Sequence, residues 1–322
     1  MLKSNVKIFL EGQDITQDLE PFLIAVTYQD KLSGESDVVE LTLQDANHAL
    51  VENLPPRGSK VNASINGFDF GSFELDEVNF SAPPSVMRIK ANSISQTSGL
   101  RQEDHSKSWE NVLLSKIARD IAEASNVELF YETDYDPTIK RAEQGEQSRL
   151  AFLQNLCDDA GLILKVADNV LIICEEKSLE DMPAKISLTW TDITRFDARA
   201  TLNEVYQKCE LNYREGQQDK NFSATATDDT KSTGRTLRLN KRVNSQAEAD
   251  RLAKHKLREA NKKEFEVTLT LPLNLKLLAG VTLQLEGFGA FDSKWIVDES
   301  SHTVSDSGSQ SRIKLHRTEA QL

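Results

Sequence analysis

Side chains able to do chemistry are present in this chain but poorly grouped. The histidines His48, His105, His255, His302 and His316 stand far apart in sequence. Only His302 and His316 are spaced so that adjacent strands could bring them near one another. No cysteine or carboxylate cluster joins them to complete the ligand set of a structural zinc. Cys157, Cys174 and Cys209 are odd in number and scattered. They form neither a C-x-x-C pair nor a zinc spacing, so buried reduced thiols are expected. Asp134 and Asp136 resemble the start of a calcium loop, but Pro137 and the missing Gly and Glu positions break it. There is no GxxxxGK[ST] loop to cradle phosphate, no HExxH and no GxSxG elbow. Gly287-Phe288-Gly289 is too short for a dinucleotide loop and reads as a strand turn. The 51 acidic residues leave room for a glycosidase-like carboxylate pair, and nothing in the pattern singles one out. No catalytic, cofactor-binding or metal-ligating residue is therefore assigned, and no cofactor is expected.

Charge narrows the partners. The net charge is −13, a poor match for wrapping phosphate backbones, which needs clustered Lys and Arg. The one basic stretch is a predicted helix over 246–263, capped by Ser245. Ala249, Leu252, Ala253 and Leu257 make its narrow apolar stripe, and Arg251, Lys254, Lys256, Arg258, Lys262 and Lys263 crowd the rest. It lacks interleaved aromatics, and Glu248, Asp250, Glu259 and Glu264 dilute it, so a solvated or subunit-facing helix is expected rather than a nucleic-acid patch. No apolar run is long enough to span a bilayer, so no membrane insertion is expected. The N-terminus lacks the apolar core of a signal peptide, and cytoplasmic synthesis without Sec export is the expectation.

The elements that would position any site are mostly strands. Residues 58–90 read as strand, glycine turn, strand, loop, strand, and 280–314 repeat that order. Gly67-Phe68 matches Gly287-Phe288, Asp76-Glu77 matches Asp298-Glu299, and Arg88-Ile89-Lys90 matches Arg312-Ile313-Lys314. Self-similarity of this kind predicts a duplicated β unit. Upstream of the first copy, strands are predicted over 6–10, 22–28 and 38–43, with turns at 11–14 and 33–36.

The texture changes near 98–100. A helix is predicted from Ser106 or Ser108 through Ala124, with Trp109, Val112, Leu113, Ile117 and Ile121 on one face. A strand over 127–131 follows. A second helix over 148–160 is capped by Ser148 and closed by Gly161. Residues 162–166 and 170–174 flank Asp168-Asn169 as a hairpin. Beyond a charged linker at 175–183, strands are predicted over 186–190 and 205–213. Residues 214–236 read as a long polar loop or floppy hairpin, and a strand over 265–271 precedes the second copy.

The segment Gln144-Gly145-Glu146-Gln147-Ser148-Arg149-Leu150-Ala151-Phe152-Leu153-Gln154-Asn155-Leu156, ending at Gly161-Leu162, resembles the Q-x-x-E-S-D-x-x-F-L-x-x-L…G-L signature of the phage late control gene D, or contractile-tail baseplate hub, family. The VgrG spike proteins of type VI secretion belong to the same wider group. Ile117-Ala118 and the closing W-I-V-D-E-S-S-H-T-V are similar to that family too. Gln147 stands where the family usually has Glu, and Arg149 where it has Asp. The signature is structural and transfers no active site.

The resemblance implies a fold that is mainly β with an α+β insert: two similar small, tube-like β-barrels flanking an α+β domain. The corresponding boundaries are 1–100 for the first barrel, 101–180 for the α+β domain, and 181–322 for the second barrel with its basic helix. It also implies a non-enzymatic homotrimer whose six β units meet a sixfold tail tube on one side and a threefold spike on the other. The spike would be a separate protein, and other baseplate proteins would be partners. A negative lumen would suit a DNA conduit. The location implied is the bacterial cytoplasm during assembly, then the phage tail or injection particle. Two other readings are a cell-wall-degrading tail lysozyme, which predicts a carboxylate pair in a cleft, and a carbohydrate-binding adhesin, which predicts exposed aromatic platforms. Against the latter, Trp109 and Trp295 read as core residues.

Overall fold

The computed structural model describes residues 5–34, 36–94, 99–101, 107–215 and 220–318. The first β unit comprises β1 (Val6–Leu10), β2 (Gln13–Asp14), the short helix α1 (Thr16–Leu19), β3 (Leu23–Lys31), β4 (Val38–Gln44), β5 (Lys60–Ile65), β6 (Phe68–Ser81) and β7 (Val86–Asn92). An α+β segment follows: β8 (Lys107–Leu113), α2 (Leu114–Ser125), β9 (Glu128–Glu132), β10 (Thr138–Gln144), α3 (Arg149–Ala160), β11 (Ile163–Ala167), β12 (Val170–Cys174) and α4 (Glu176–Glu180). Then come β13 (Ser187–Leu188) and β14 (Arg195–Ala200). An inserted subunit of structure holds β15 (Lys208–Glu215), β16 (Lys220–Thr227), β17 (Thr236–Leu239) and α5 (Gln246–Asn261). The second unit ends with β18 (Phe265–Pro272), β19 (Thr282–Leu285), β20 (Ser293–Ser305) and β21 (Gly308–Arg317).

The repeat read from the sequence is present down to single hydrogen bonds. In the first copy β5 pairs with β6, β6 with β7, and β7 with β4; in the second, β19 pairs with β20, β20 with β21, and β21 with β18. Each long strand carries a bulge at its aspartate. Leu75 faces Ala91 and Glu77 faces Lys90 across Asp76. Val297 faces Leu315 and Glu299 faces Lys314 across Asp298. Gly58 donates its N–H to Leu75 O at 2.8 Å, and Gly280 donates to Val297 O at 2.8 Å. Both glycines have positive φ, +91° and +85°, which glycine adopts without the steric penalty of a Cβ. A bulge puts an extra residue on one strand and sharpens its twist. Here it re-aims the two aspartates.

The two copies are not separate barrels. β3 pairs antiparallel with β20, so strands of both units run in one sheet ordered β14-β18-β21-β20-β3-β4-β7-β6-β5-β1-β2, with β19 and β13 branching from β20. Among the described residues no strand pairing closes either unit into the small β-barrel expected of it. The mainly β fold with an α+β insert stands. Four larger apolar clusters stabilise it. One lies under the first unit and takes in Val304 from β20. A second fills the α+β segment around Leu114, Ile117, Leu153 and Leu171. A third surrounds Trp295 in the second unit. The fourth lies between α5 and the β15–β16 hairpin. Fully burying one such Leu or Ile side chain contributes about 1.5–3 kcal/mol.

Local sequence explains most elements. Ser148 caps α3, its Oγ accepting the Ala151 N–H at 3.2 Å. Ser245 caps α5 by accepting from Glu248 N at 3.1 Å, and Glu248 in return accepts from Asn244 N at 2.7 Å. Gly161 ends α3 at φ +71°, and a Cβ there would lie 2.9 Å from the His255 ring of α5. Asp168 and Asn169 both have positive φ in the β11–β12 turn, as a two-residue hairpin of the primed type requires.

The first predicted helix is corrected. Residues 107–113 are strand β8, paired with β10, and the helix begins at Leu114. Asn111 sits at φ +52°, incompatible with a right-handed helix. The helix start is fixed from elsewhere: Asp136 accepts from Ser115 N at 2.9 Å and Ser115 Oγ at 2.5 Å. Trp109 is buried all the same, stacked on Phe152 at 5.3 Å, whereas Leu113 is exposed. Ser98, His105, Ser106 and Glu35, which figured in the predicted turns, cap and ligand search, lie outside the described residues. Of the two alternatives for 214–236, the hairpin fits: β16 pairs antiparallel with β15, and β17 adds to β15 in parallel. The charged linker contains α4, and β14 is an additional strand.

Candidate functional site

Two joints hold the β units, the α+β segment and the insert together. The first is the β3–β20 seam, where Lys31 faces Glu299, Asp30 faces Ser300, Tyr28 faces His302 and Val26 faces Val304. On its other face Thr27 Oγ1 and Thr303 Oγ1 are 3.1 Å apart. His302 is fully buried, with Ser311 Oγ at 2.7 Å and Ser300 Oγ at 3.1 Å. Its ring lies parallel to Tyr28 at 6.3 Å, and Tyr28 stacks on Phe70 at 4.2 Å. Burial pushes the imidazole down to about 4, against the pull of Asp30. Asp30 then joins three regions: its carboxylate pairs with Lys165 of β11 and accepts the Ala279 N–H at 2.8 Å. Neighbouring Asp37 is pushed up to about 7 by burial, with Lys165 opposing and Asp30 adding to the shift.

The second joint is ionic. Glu176 and Glu180 come from α4, Arg258 and Lys262 from α5 and the turn after it, Asp298 from the β20 bulge and His316 from β21. Arg258 pairs with Glu180 and lies 3.6 Å from Glu176, which Lys262 also pairs. His316 Nδ1 is 2.5 Å from Asp298, and its Nε2 is 3.3 Å from Glu180 and 3.7 Å from Glu176. Burial alone would lower the imidazole, but hydrogen bonds to Asp298 and Glu180 outweigh it and hold His316 at about 9. Burial would likewise raise Glu176, yet Lys262 and His316 keep it below the usual carboxylate range. With His316 protonated, three carboxylates face three cations.

Glu176, Asp298 and His316 offer ligand atoms within 4.8 Å of one another. Their charges are already balanced by Arg258 and Lys262, so a divalent ion would have to displace a proton from His316 and sit beside fixed cations. The donor set fits an ion-pair cluster better than a metal centre. The adjoining cleft of about 670 Å³ is lined in part by Glu180, Lys231, Arg258, Lys262 and Glu264. Its glutamates pair with cations, Glu264 with Lys231 as Glu180 does with Arg258.

The other residues weighed from the sequence fall elsewhere. His302 and His316 occupy different joints. Asp136 serves as a cap for α2. Cys157, Cys174 and Cys209 are buried, and burial pushes the thiols up, to about 11 for Cys174 and Cys209. The basic helix turns several charges inward: besides Arg258, Arg251 lies 3.5 Å from the Tyr135 ring centre and 3.4 Å from Glu175. Trp295 is buried, but Trp190 is 55% exposed. Its indole is pinned, with the centroid 4.4 Å from Phe288 and Nε1 donating to Gly287 O at 2.8 Å. Sequence reading missed the ionic joint, although Asp298 lies within the second copy and His316 just beyond its end. The signal available was that His316 replaces Asn92 at the matching position. No helix among the described residues is long and apolar enough to cross a membrane.

This architecture is that of phage-tail and VgrG-like proteins. The 43 kDa tail protein of prophage MuSo2 from Shewanella oneidensis matches with a TM-score of 0.79 at 15% identity, over 98% of this chain and 99% of that one. A type VI secretion component of E. coli, itself described as similar to the T4 tail proteins gp27 and gp5, matches with a TM-score of 0.57 at 10% identity, over 99% of this chain and 75% of that one. More particularly, the sequence is similar to the probable baseplate hub protein of Escherichia phage P2, 26% identical over 166 residues, which is 50% of this chain and 42% of that protein. The corresponding protein of phage 186 is 23% identical over 175 residues, 52% of this chain and 44% of its own length. The matched stretch thus spans less than half of either curated relative. No protein-family profile matches the sequence.

Proposed function

We propose that the chain is a structural, non-enzymatic baseplate hub of a contractile tail or phage-derived injection particle. It acts as a homotrimer that adapts a sixfold tail tube to a threefold spike, beside other baseplate proteins. The observation that carries this is the duplicated unit: two copies with one bulge register, laid side by side in one sheet. Three chains cannot offer six matching contacts unless each carries the contact surface twice, and duplication removes that mismatch. The similarity to the P2 and 186 hub proteins supports the same reading.

In this reading residues 1–100 and 181–322 are the tube-like halves and 101–180 is a brace, a division supported by separate apolar clusters. The ion-paired joint then has a mechanical role, locking the brace and the insert to the second half. The protein would assemble in the bacterial cytoplasm and end in the particle, with its acidic balance facing a lumen that should not hold phosphate. Mass measurement of the purified protein, alone and with its spike, tests the proposal: a trimer that takes up spike or tube is expected, and a persistent monomer with affinity for neither overturns it. A zymogram on peptidoglycan is expected to be blank; clearing would favour the lysozyme reading.

A further inference from the structure

The two units leave complementary strand edges. Tracing the register from the bulges outward, Lys90 and Lys314 lead through β7 and β21 to β4 and β18, and on to β3 and β14. Val26 then corresponds to Phe196, Thr27 to Asp197, Tyr28 to Ala198 and Gln29 to Arg199. On the long strands Glu299 corresponds to Glu77, Ser301 to Asn79 and His302 to Phe80. Inside the chain the far half of β20 is covered by β3. The equivalent half of β6, Glu77 to Ser81, pairs with β7 on one side, and no described strand pairs with its other side. Among the described residues β14 pairs only with β18. Among the described residues one open edge of each kind therefore remains: β14 at one end of the sheet, and the half of β6 that β5 leaves uncovered toward the other.

The side chains at these edges have the pattern of an unfilled seam. At the internal seam the inward positions Val26, Tyr28, Asp30, Ser300, His302 and Val304 are all buried. At the open edges the inward positions are Val78 and Phe80 on β6 and Phe196, Ala198 and Ala200 on β14. Phe80 is 39% exposed, and Ala198 and Ala200 are exposed. The outward positions are polar: Glu77, Asn79 and Ser81 on one edge, Asp197 and Arg199 on the other. An exposed edge with an apolar inward face is a template for another strand.

We propose that β14 of one copy pairs antiparallel with Glu77 to Ser81 of β6 in a second copy, in the register by which β3 pairs with β20. Asn79 then faces Arg199 of the next chain, Phe80 faces Ala198, Val78 faces Ala200 and Ser81 faces Asp197. Glu77 lies diagonal to Arg199, giving an opposite-charge pair on the outer face. The contact is heterologous, so it closes into a ring if the rotation allows and otherwise propagates. The pairing deepens the hub reading, from which it takes only the count of three.

Cysteine pairs test the register, because a disulfide requires Cα atoms closer than about 7 Å. The natural cysteines are buried and do not interfere. In the full chain, Asn79→Cys with Arg199→Cys places the thiols directly opposite. Asn79→Cys with Asp197→Cys places them on the diagonal, at about 7–8 Å. After mild oxidation and a non-reducing gel, the in-register pair is expected to give inter-chain cross-links at least ~10-fold in excess of the diagonal pair. Equal cross-linking by both pairs, or none by either, overturns the pairing. In that case a trimer by mass leaves the hub reading standing, while a monomer without affinity for tube or spike removes it as well. A ladder running past three chains supports the pairing and removes the threefold ring. Thermal melts of the reduced variants matching the parent show that the substitutions leave the fold intact.

Discussion

At the bulge of the first unit, Asp76 accepts a hydrogen bond from the Asn92 side chain at 2.6 Å. At the bulge of the second, Asp298 meets His316 at 2.5 Å. The backbone ladders around these pairs are the same; the side-chain chemistry is not. An amide satisfies one aspartate locally. An imidazolium satisfies the other and has a second nitrogen left to reach Glu180 and Glu176. The units differ in one further respect that explains this. In the first, β3 leads to β4 through a short turn, whereas in the second the chain between β14 and β18 contains three strands and α5. That insert delivers Arg258 and Lys262 to the bulge, and α4 delivers two glutamates. A duplicated scaffold thus kept its backbone and changed one partner residue where new elements had to be anchored.

Breaking the joint that only the second unit possesses should have the largest effect. Arg258→Ala removes a cation from the buried Glu180 and the partly buried Glu176, and urea unfolding is expected to show a loss of about 3–5 kcal/mol. Replacing Arg258 and Glu180 together by Met and Leu should recover most of it, since an apolar pair of similar volume tolerates burial.

His316→Asn gives the second bulge the chemistry of the first. Because the folded imidazole sits at about 9, above its unfolded value near 6.5, its contribution is full below pH 6.5. It is lost as pH rises through 9. In the parent that loss should be on the order of 3 kcal/mol. The variant should be less stable at pH 6 and lose its alkaline slope, as read by denaturation midpoints between pH 6 and 9.5. An unchanged slope would show that His316 is not the titrating group.

The seam histidine has the opposite sign. His302 is held at about 4 when folded, so its neutral form stabilises the fold above the unfolded value. That contribution is lost as pH falls from 6.5 toward 4. Between pH 6.5 and 5 the parent should lose about 2 kcal/mol by this route. His302→Phe, which copies Phe80 of the first unit, should flatten the acid limb of a melting-temperature profile over that range.

The smallest expected effect is at the helix caps. Ser148→Ala and Ser245→Ala each remove one cap acceptor and should cost about 1 kcal/mol. Ser245→Ala should also weaken the ionic joint, because α5 carries Arg258. Comparing the alkaline slopes of the two variants would reveal that coupling.

The duplication was legible in the sequence because it rests on local codes. Positive-φ glycines, alternating strands and a bulge aspartate recur at matching positions, and each is set by its own few neighbours. The caps at Ser148 and Ser245 and the stop at Gly161 were legible for the same reason. The misread helix at 107–113 shows where local codes fail. Trp109, Val112 and Leu113 suit a helix face as well as a strand, and the pairing with β10 settles it from thirty residues away. β14 went unread, and β16 was read only as one arm of a floppy hairpin, because both are polar strands whose identity lies in their partners.

Composition and spacing determined that the chain is a mainly β protein built twice, without a recognisable catalytic motif. They could not say that the two copies share a sheet, because strand order is a property of long-range hydrogen bonds that leave no periodicity behind. Nor could they place Glu176, Arg258 and His316 together. Ion pairs between residues more than fifty positions apart are decided only when the backbone folds back, and burial then makes those charges depend on one another.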